Sequence, residues 1–340
     1  MTIQPMKTRR FLLPLLAGPA LLLAACGTDT PRETKPASLT LVAYSSFPDD
    51  SPALNEAFAD FTKDTGIKVQ ILNAGDTGTM VTKAVLTSGN PEGDVIFGVD
   101  NTFLSAANKG KVFHGQPRQI DSGDVCVNYD KQYFADKGVA PPQTFDDLIR
   151  PDYKDMLVVE NPTSSSPGLA FLMGTIAAKG ADGWVEYWKQ LRANGVEVVD
   201  SWDVAYYERF SGSGNGDRPL VVSYGTSPPA EVIFADPPRD EAVTGVATET
   251  CFHQEEFAGV LRGTKTPLAA KQLVDFLVSE RFQKELPLTL FVYPVLSSVT
   301  LPPEFVKFGV KPDKPFSLDP ATIDANREKW QDKWTQTVLR

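Results

Sequence analysis

The chain has 340 residues, with 43 acidic side chains against 33 basic ones and a formal net charge of −10. That balance argues against a nucleic-acid partner, because phosphate binding needs clustered Lys and Arg, and it is compatible with a cationic ligand. The length suits one large or two medium domains with a substantial core.

Residues 1–25 read as a signal peptide. Lys7, Arg9 and Arg10 form a basic start, and Phe11 to Leu23 form an apolar core broken by Pro14 and Pro19, too short for a stable membrane span. Leu23-Ala24-Ala25-Cys26 resembles the lipobox of bacterial lipoproteins, in which cleavage leaves Cys26 as a lipid-bearing N-terminus. The alternative is an ordinary signal peptide with a chance cysteine. Cleavage would remove three basic side chains and take the mature charge to −13. Residues 26–37 are polar, rich in Pro and Thr and without hydrophobic period, and read as a tether.

From residue 38 the chain alternates strand-like and helix-like stretches. Ser38 to Phe47 is an apolar run of β-formers, and Ser51-Pro52 then opens a helix with Leu54, Phe58 and Phe61 at helical spacing, stopped by Gly66. "IKVQILNAG" and "DVIFGVD" read as strands with the helix "TGTMVTKAVLTSG" between them. Further on, "DMLVVENP", "VEVVDSW" and "RPLVVSYGTSPP" read as strands, and Pro167–Lys179, Ala181–Asn194 and Asp203–Phe210 as helices. Cys251 to Leu261 is a strand. A long amphipathic helix is expected from Thr266 to Leu286, with Leu273, Phe276, Leu277 and Phe282 on one side, and further helices around Pro303–Phe308 and Pro320–Leu339. The alternation implies parallel sheets with helices on their faces.

In such folds ligands bind beyond the carboxyl ends of the strands. The loops placed there are Tyr44–Phe47, Gly75–Thr79, Asp100-Asn101, Asn161–Ser166, Ser201-Trp202 and Tyr224–Pro228, and they combine aromatic, hydroxyl and acidic side chains in a binding-site composition. In "NPTSSSPGLAF" the step Ser166-Pro167 reads as a helix start, whose free N–H groups either need only a cap or offer an anion site. Two cysteines remain in the mature chain, Cys126 and Cys251. They read as a disulfide closing a long loop, in the chain-entropy model worth roughly 4–5 kcal/mol, or as two buried thiols.

"GVDNTFLSAANKG", "PTSSSPGLAFL", "SWDVAYYERF", "VVSYGTSPPAEV" and "VYPVLSSVTLPPEF" occur in the order found in the thiamine-binding proteins of bacterial ABC transporters, which the chain resembles over nearly its whole mature length. The resemblance implies a two-lobed type II periplasmic-binding-protein fold, each lobe a mixed sheet flanked by helices, joined by crossover strands. It implies a first part of lobe one at 38–123, hinge and lobe two at 124–253, and a return to lobe one with C-terminal helices at 254–340. Carried over by position, the ligand set is Tyr44, Asp76, Thr77, Ser165, Ser166, Trp202, Tyr224, Gly225, Thr226, Ser227, Pro228 and Phe291. The family often has tryptophan where Phe291 stands and a threonine where Gly225 stands. The connection His114–Gln119 is shorter than the family's usual one. The resemblance also places Cys126 and Cys251 on the two crossover strands, where a disulfide would brace the hinge.

The ligand so implied is thiamine or its monophosphate or diphosphate. Aromatic faces would stack on its rings and Asp76 would accept from its aminopyrimidine. The implied partners are ABC permease and ATPase subunits and a membrane reached through a lipid on Cys26, for a monomer exported to the periplasm or outer face, with no cofactor, metal or catalytic residue. Two other readings stand beside it. One is a thiaminase I-like enzyme using Cys126 as nucleophile. The other is a binder of ferric ion or a polyamine, for which Tyr206-Tyr207 offers paired tyrosines, although adjacent helical residues point apart.

Overall fold

The computed structural model describes residues 34–340 except Asn215 and Pro238. The signal peptide, the lipidation site Cys26 and residues 26–33 of the tether lie outside the described residues.

Two β-α repeats open the fold. Strand β1 (Ser38–Ala43) leads to α1 (Pro52–Thr65), β2 (Lys68–Asn73), α2 (Thr77–Leu86) and β3 (Val95–Asp100), and β1 pairs in parallel with both β2 and β3. Helix α1 forms where expected: the Ser51 hydroxyl accepts from the Leu54 N–H, and Gly66 closes the helix at φ 70, a left-handed turn that glycine adopts without steric cost. A short helix α3 (Leu104–Lys109) follows, and then the chain turns through His114–Pro117 into β4 (Arg118–Asp130).

The second half repeats the scheme. Helix α4 (Lys131–Lys137), β5 (Leu157–Glu160), α5 (Ser166–Ala193), β6 (Glu197–Val199), a π-helical segment Val204–Arg209, β7 (Leu220–Tyr224) and α6 (Ser227–Ile233) come in that order. Helix α5 is two helices, as the sequence predicts, because Gly180 stands at φ 71 and ψ 175 between them. Strand β5 pairs in parallel with β6 and β7.

The halves share β4 and the 17-residue β8 (Thr244–Val260), antiparallel to each other. Strand β8 pairs β3 of the first half, and β4 pairs β7 of the second, so one sheet runs β2-β1-β3-β8-β4-β7-β5-β6. Where β4 advances from Val125 to Val127 its partner in β8 jumps from Phe252 to Ala247. Cys251 lies in the resulting bulge and is joined by a disulfide to Cys126, both fully buried, with Cα atoms 4.1 Å apart.

The expected long helix at 266–286 is corrected to three pieces: α7 (Pro267–Leu277), α8 (Glu280–Gln283) and α9 (Leu286–Thr289). Ser279 turns its hydroxyl back onto the Phe276 carbonyl and stops α7. The break turns Phe282 into the first half's core, with its ring 5.7 Å from Phe58 and 5.9 Å from Phe276. Gln283 caps the break by donating to the carbonyls of Leu277 and Ile120. After β9 (Tyr293–Pro294), which pairs β4, come α10 (Pro303–Phe308) and α11 (Pro320–Val338). Helix α11 touches both halves: Trp334 meets Trp188 of α5 edge to face at 5.5 Å, and Arg327 lies over Phe103 next to α3.

Replacing Cys126 and Cys251 together by serine frees a loop of 125 residues in the unfolded chain. The expected loss is about 4 kcal/mol of unfolding free energy, measured by urea denaturation against the oxidised parent.

Candidate functional site

Loops from both halves meet at one cavity of about 440 Å³. Of the twelve ligand-set residues, eight stand in its wall: Tyr44, Asp76, Thr77, Ser166, Trp202, Tyr224, Ser227 and Phe291. Ser165, Gly225, Thr226 and Pro228 are buried behind that wall. Gly225 is held by backbone, since a Cβ there would meet the Val310 carbonyl at 2.4 Å.

On the first half's side, Tyr44 directly follows β1. Its ring lies against Gly98, where a Cβ would sit 2.3 Å from the ring, so glycine is the residue that admits it. Asp76 is the N-cap of α2 but spends its carboxylate elsewhere. It accepts from the Ser45 hydroxyl at 2.7 Å, and the Ser165 hydroxyl and Trp202 backbone N–H lie near enough across the cleft to favour its charged form, although Ser165 Oγ completes no hydrogen bond. Burial nonetheless raises its pKa.

Across the cleft, Ser166 opens α5, with Ser165 one position earlier as the N-cap. The Ser166 hydroxyl donates to buried Asp100 at 2.6 Å, and Ser164, on the preceding loop, donates outward to the Asp200 carbonyl at 2.9 Å. The helix start is ringed by carboxylates, Asp76, Asp100 and Glu160, which offsets the attraction of its dipole for an anion. The Trp202 indole donates to Ser223 Oγ at 3.0 Å and stacks on Tyr206 at 4.9 Å, 16° from parallel. Ser223 and Ser227 share a 2.9 Å hydroxyl contact that fixes the start of α6 beneath Tyr224.

The sequence reading set Tyr206 and Tyr207 aside because adjacent helical residues diverge. The segment is π-helical, and both rings stand in the cavity wall, 5.5 Å apart and perpendicular, each against Trp202. The Tyr206 hydroxyl donates to Glu231, and among the described residues no three His, Cys, Asp or Glu groups are placed to hold a metal ion. At the mouth, Phe234 after α6 meets Phe291 at 5.6 Å. Phe291 holds φ 54, a strained left-handed conformation for a bulky residue.

Sequence reasoning missed the floor. Glu256 of β8 is in the cavity wall, and the strand registers place it directly between Asp100 of β3 and Asp121 of β4. Directly opposed residues share a sheet face, so three carboxyl groups form one row across three strands. Period-two alternation was the available signal: Phe252, Gln254, Glu256 and Ala258 all turn to the buried side of β8. Burial pushes Asp121 up to about 8, and it raises Glu256 well above the carboxylate range with help from Asp121 and Asp100. Glu231 is pushed up to about 7 by burial, against the hydrogen bonds it accepts from Tyr206 and Thr244.

The family model of bacterial extracellular solute-binding proteins matches residues 44–284. A thiamine-binding periplasmic protein of Salmonella typhimurium is 30% identical over 95% of this chain and 98% of its own length. Its counterpart in Escherichia coli is 29% identical over 94% and 98%. Among solved structures, a periplasmic thiamin binding protein superposes with a TM-score of 0.78 at 27% identity, covering 89% of this chain and 96% of that one.

The buried acids set a pH dependence. Each of Asp121, Glu231, Glu160 and Glu256 has a folded pKa above its unfolded one, so folding favours the protonated form. That contribution is fully present below about pH 4 and is lost as pH rises through about 7 for Glu231 and about 8 for Asp121. The ligand-free protein should lose about 5 °C or more of Tm between pH 5 and pH 8 by calorimetry, and E160Q should flatten the slope.

Proposed function

Because the chain belongs to the bacterial extracellular solute-binding proteins, we propose that it is the thiamine-binding component of an ABC importer, acting by capture and delivery without chemistry of its own. The two halves are the lobes of a type II periplasmic binding protein, and the cavity between them is the ligand site. In this reading Cys26 carries the lipid that keeps the protein beside its permease, and the chain works as a monomer.

The observation that carries the ligand assignment is the cavity's chemistry. Its wall holds the rings of Tyr44, Trp202, Tyr206, Tyr207, Tyr224, Phe234 and Phe291, three acidic residues, Asp50, Asp76 and Glu256, and no Lys or Arg. Flat rings with a permanent positive charge suit aromatic faces beside carboxylates. Asp76, fixed by Ser45 and facing Trp202 on the far wall, is placed to read the donor edge of an aminopyrimidine. The thiaminase I-like reading loses its nucleophile, since Cys126 is bonded to Cys251. The Ser166 hydroxyl is already spent on Asp100, and Asp76 lies beside Ser165, so phosphate groups are disfavoured at that end.

Titration followed by Trp fluorescence or calorimetry should give a Kd below about 10 µM for thiamine, with monophosphate weaker and diphosphate weakest. A diphosphate bound more tightly than thiamine would refute the assignment of the polar end. D76N should weaken thiamine about tenfold to a hundredfold, the loss of one charge-assisted hydrogen bond.

A further inference from the structure

The row Asp100–Glu256–Asp121 holds no ion-paired cation; Arg327 of α11 feels the charge of Asp100 at one end of it but pairs with Glu328. Asp100 is satisfied by the hydroxyls of Ser166 and Thr102 and by the Thr102 N–H. Both oxygens of Asp121 lack a hydrogen-bond partner, and so does Glu256 Oε2, while Oε1 accepts from Gln254 at 3.1 Å. Glu256 is only 6% exposed yet contributes to the cavity wall beside Tyr44 and Tyr224, whose hydroxyl pKa values its charge helps to raise. Among the described residues no Lys, Arg or His forms an ion pair with any of the three carboxyl groups. The titratable groups around Glu256 are all acids or phenols: Asp121 from β4, Asp100 from β3, Tyr44 after β1 and Tyr224 at the end of β7, with Tyr293 of β9 nearer Asp124.

A carboxylate buried against two others is stable only if a proton or a cation neutralises it. We propose that Glu256, paired with Asp121, is the counter-charge subsite of the cleft, taking a weakly hydrated organic cation whose entry displaces a proton from the pair to solvent. The balance is one for one: a carboxylic acid O–H gives its proton to buffer, and the ligand's fixed positive charge takes its place. An aromatic, largely apolar wall favours a delocalised cation over a hydrated inorganic one. The cation class follows from the floor itself; its identification with a thiazolium ring rests on the thiamine reading. The pair would thereby act as a specificity element, rejecting neutral rings of the same shape because they leave the acids uncompensated.

The test uses the mature protein, thiamine, and the uncharged thiophene isostere in which carbon replaces the thiazolium nitrogen. Calorimetry in buffers of differing ionisation enthalpy should show about one proton released per thiamine at pH 7 and none for the isostere. Thiamine affinity should rise about tenfold from pH 6 to pH 7. E256Q should abolish the release and weaken thiamine at least about tenfold while changing the isostere less than about threefold. It should also unfold no lower than the parent at pH 8, which a merely structural glutamate would not do. D121N should keep the preference for the cation but release fewer protons, because Glu256 then ionises without its paired acid. Thiamine binding without proton release, or an unchanged cation-to-isostere ratio in E256Q, overturns the inference and leaves the importer reading intact. Should thiamine fail to bind the parent at all, that reading falls. The floor is then judged with 3-benzylthiazolium, whose binding with proton release supports the subsite and whose failure to bind, or binding without release, overturns it.

Discussion

Like charges placed directly opposite each other in a sheet repel, and here the constraint is met at the worst possible place, the junction of the two lobes. Strand β8 lies where the lobes meet, with β3 of the first lobe on one side and β4, which pairs β7 of the second, on the other. At the level of Glu256 all three strands present an acid. Hydrophobic packing dominates elsewhere: Phe97, Phe58 and Phe282 fill the first lobe, and Phe171, Trp188 and Trp334 the second, all buried. The acid row interrupts that core where the chain crosses between lobes. A fold that only needed stability would place apolar residues there, because replacing unpaired buried charge by packed hydrocarbon is favourable. Retaining three carboxyl groups makes the empty cleft the strained state and the occupied cleft the relaxed one.

The cleft geometry follows from how close the lobes can come. Gly78 in α2 donates its N–H to the Ser164 carbonyl of the other lobe at 2.9 Å, and a Cβ there would sit 2.7 Å from that oxygen. Ser166 and Asp100 form a second bond between lobes deeper down. The walls are therefore tied near the hinge, while the mouth is covered only by side chains, Phe234 against Phe291. Binding energy gained by closing is thus concentrated on aromatic contacts and on Asp76, which lines the cavity opposite Trp202.

Much of this was legible in the chain, and the losses have physical reasons. The strand and helix alternation, the break at Gly180 and the cap at Ser51 follow from local chemistry and appear where expected. The loops at the carboxyl ends of the strands supply most of the cavity wall, because that placement follows from topology alone. The helix at 266–286 misled because its apolar spacing is helical throughout; the stop depends on one serine hydroxyl and on the pull of Phe282 into the core. Tyr206 and Tyr207 do point apart as adjacent helical residues must, Tyr206 buried and Tyr207 exposed, but the cleft reaches both rings beside Trp202, which spacing alone does not reveal. Glu256 and Asp121 were invisible because an acid in a strand ordinarily faces water, and only the register between distant strands puts them side by side.

The disulfide has a mechanical consequence. Two ribbons joined only by hydrogen bonds can slip lengthwise past one another, and slippage by even one residue would exchange their faces. Cys126 and Cys251 rivet the crossover ribbons at the bulge, so longitudinal shear between them is forbidden. What remains is flexing and torsion of the riveted strip as a unit, a motion with few degrees of freedom. Each opening then returns the two walls to the same alignment, and the gap between lobes varies in width without losing its register.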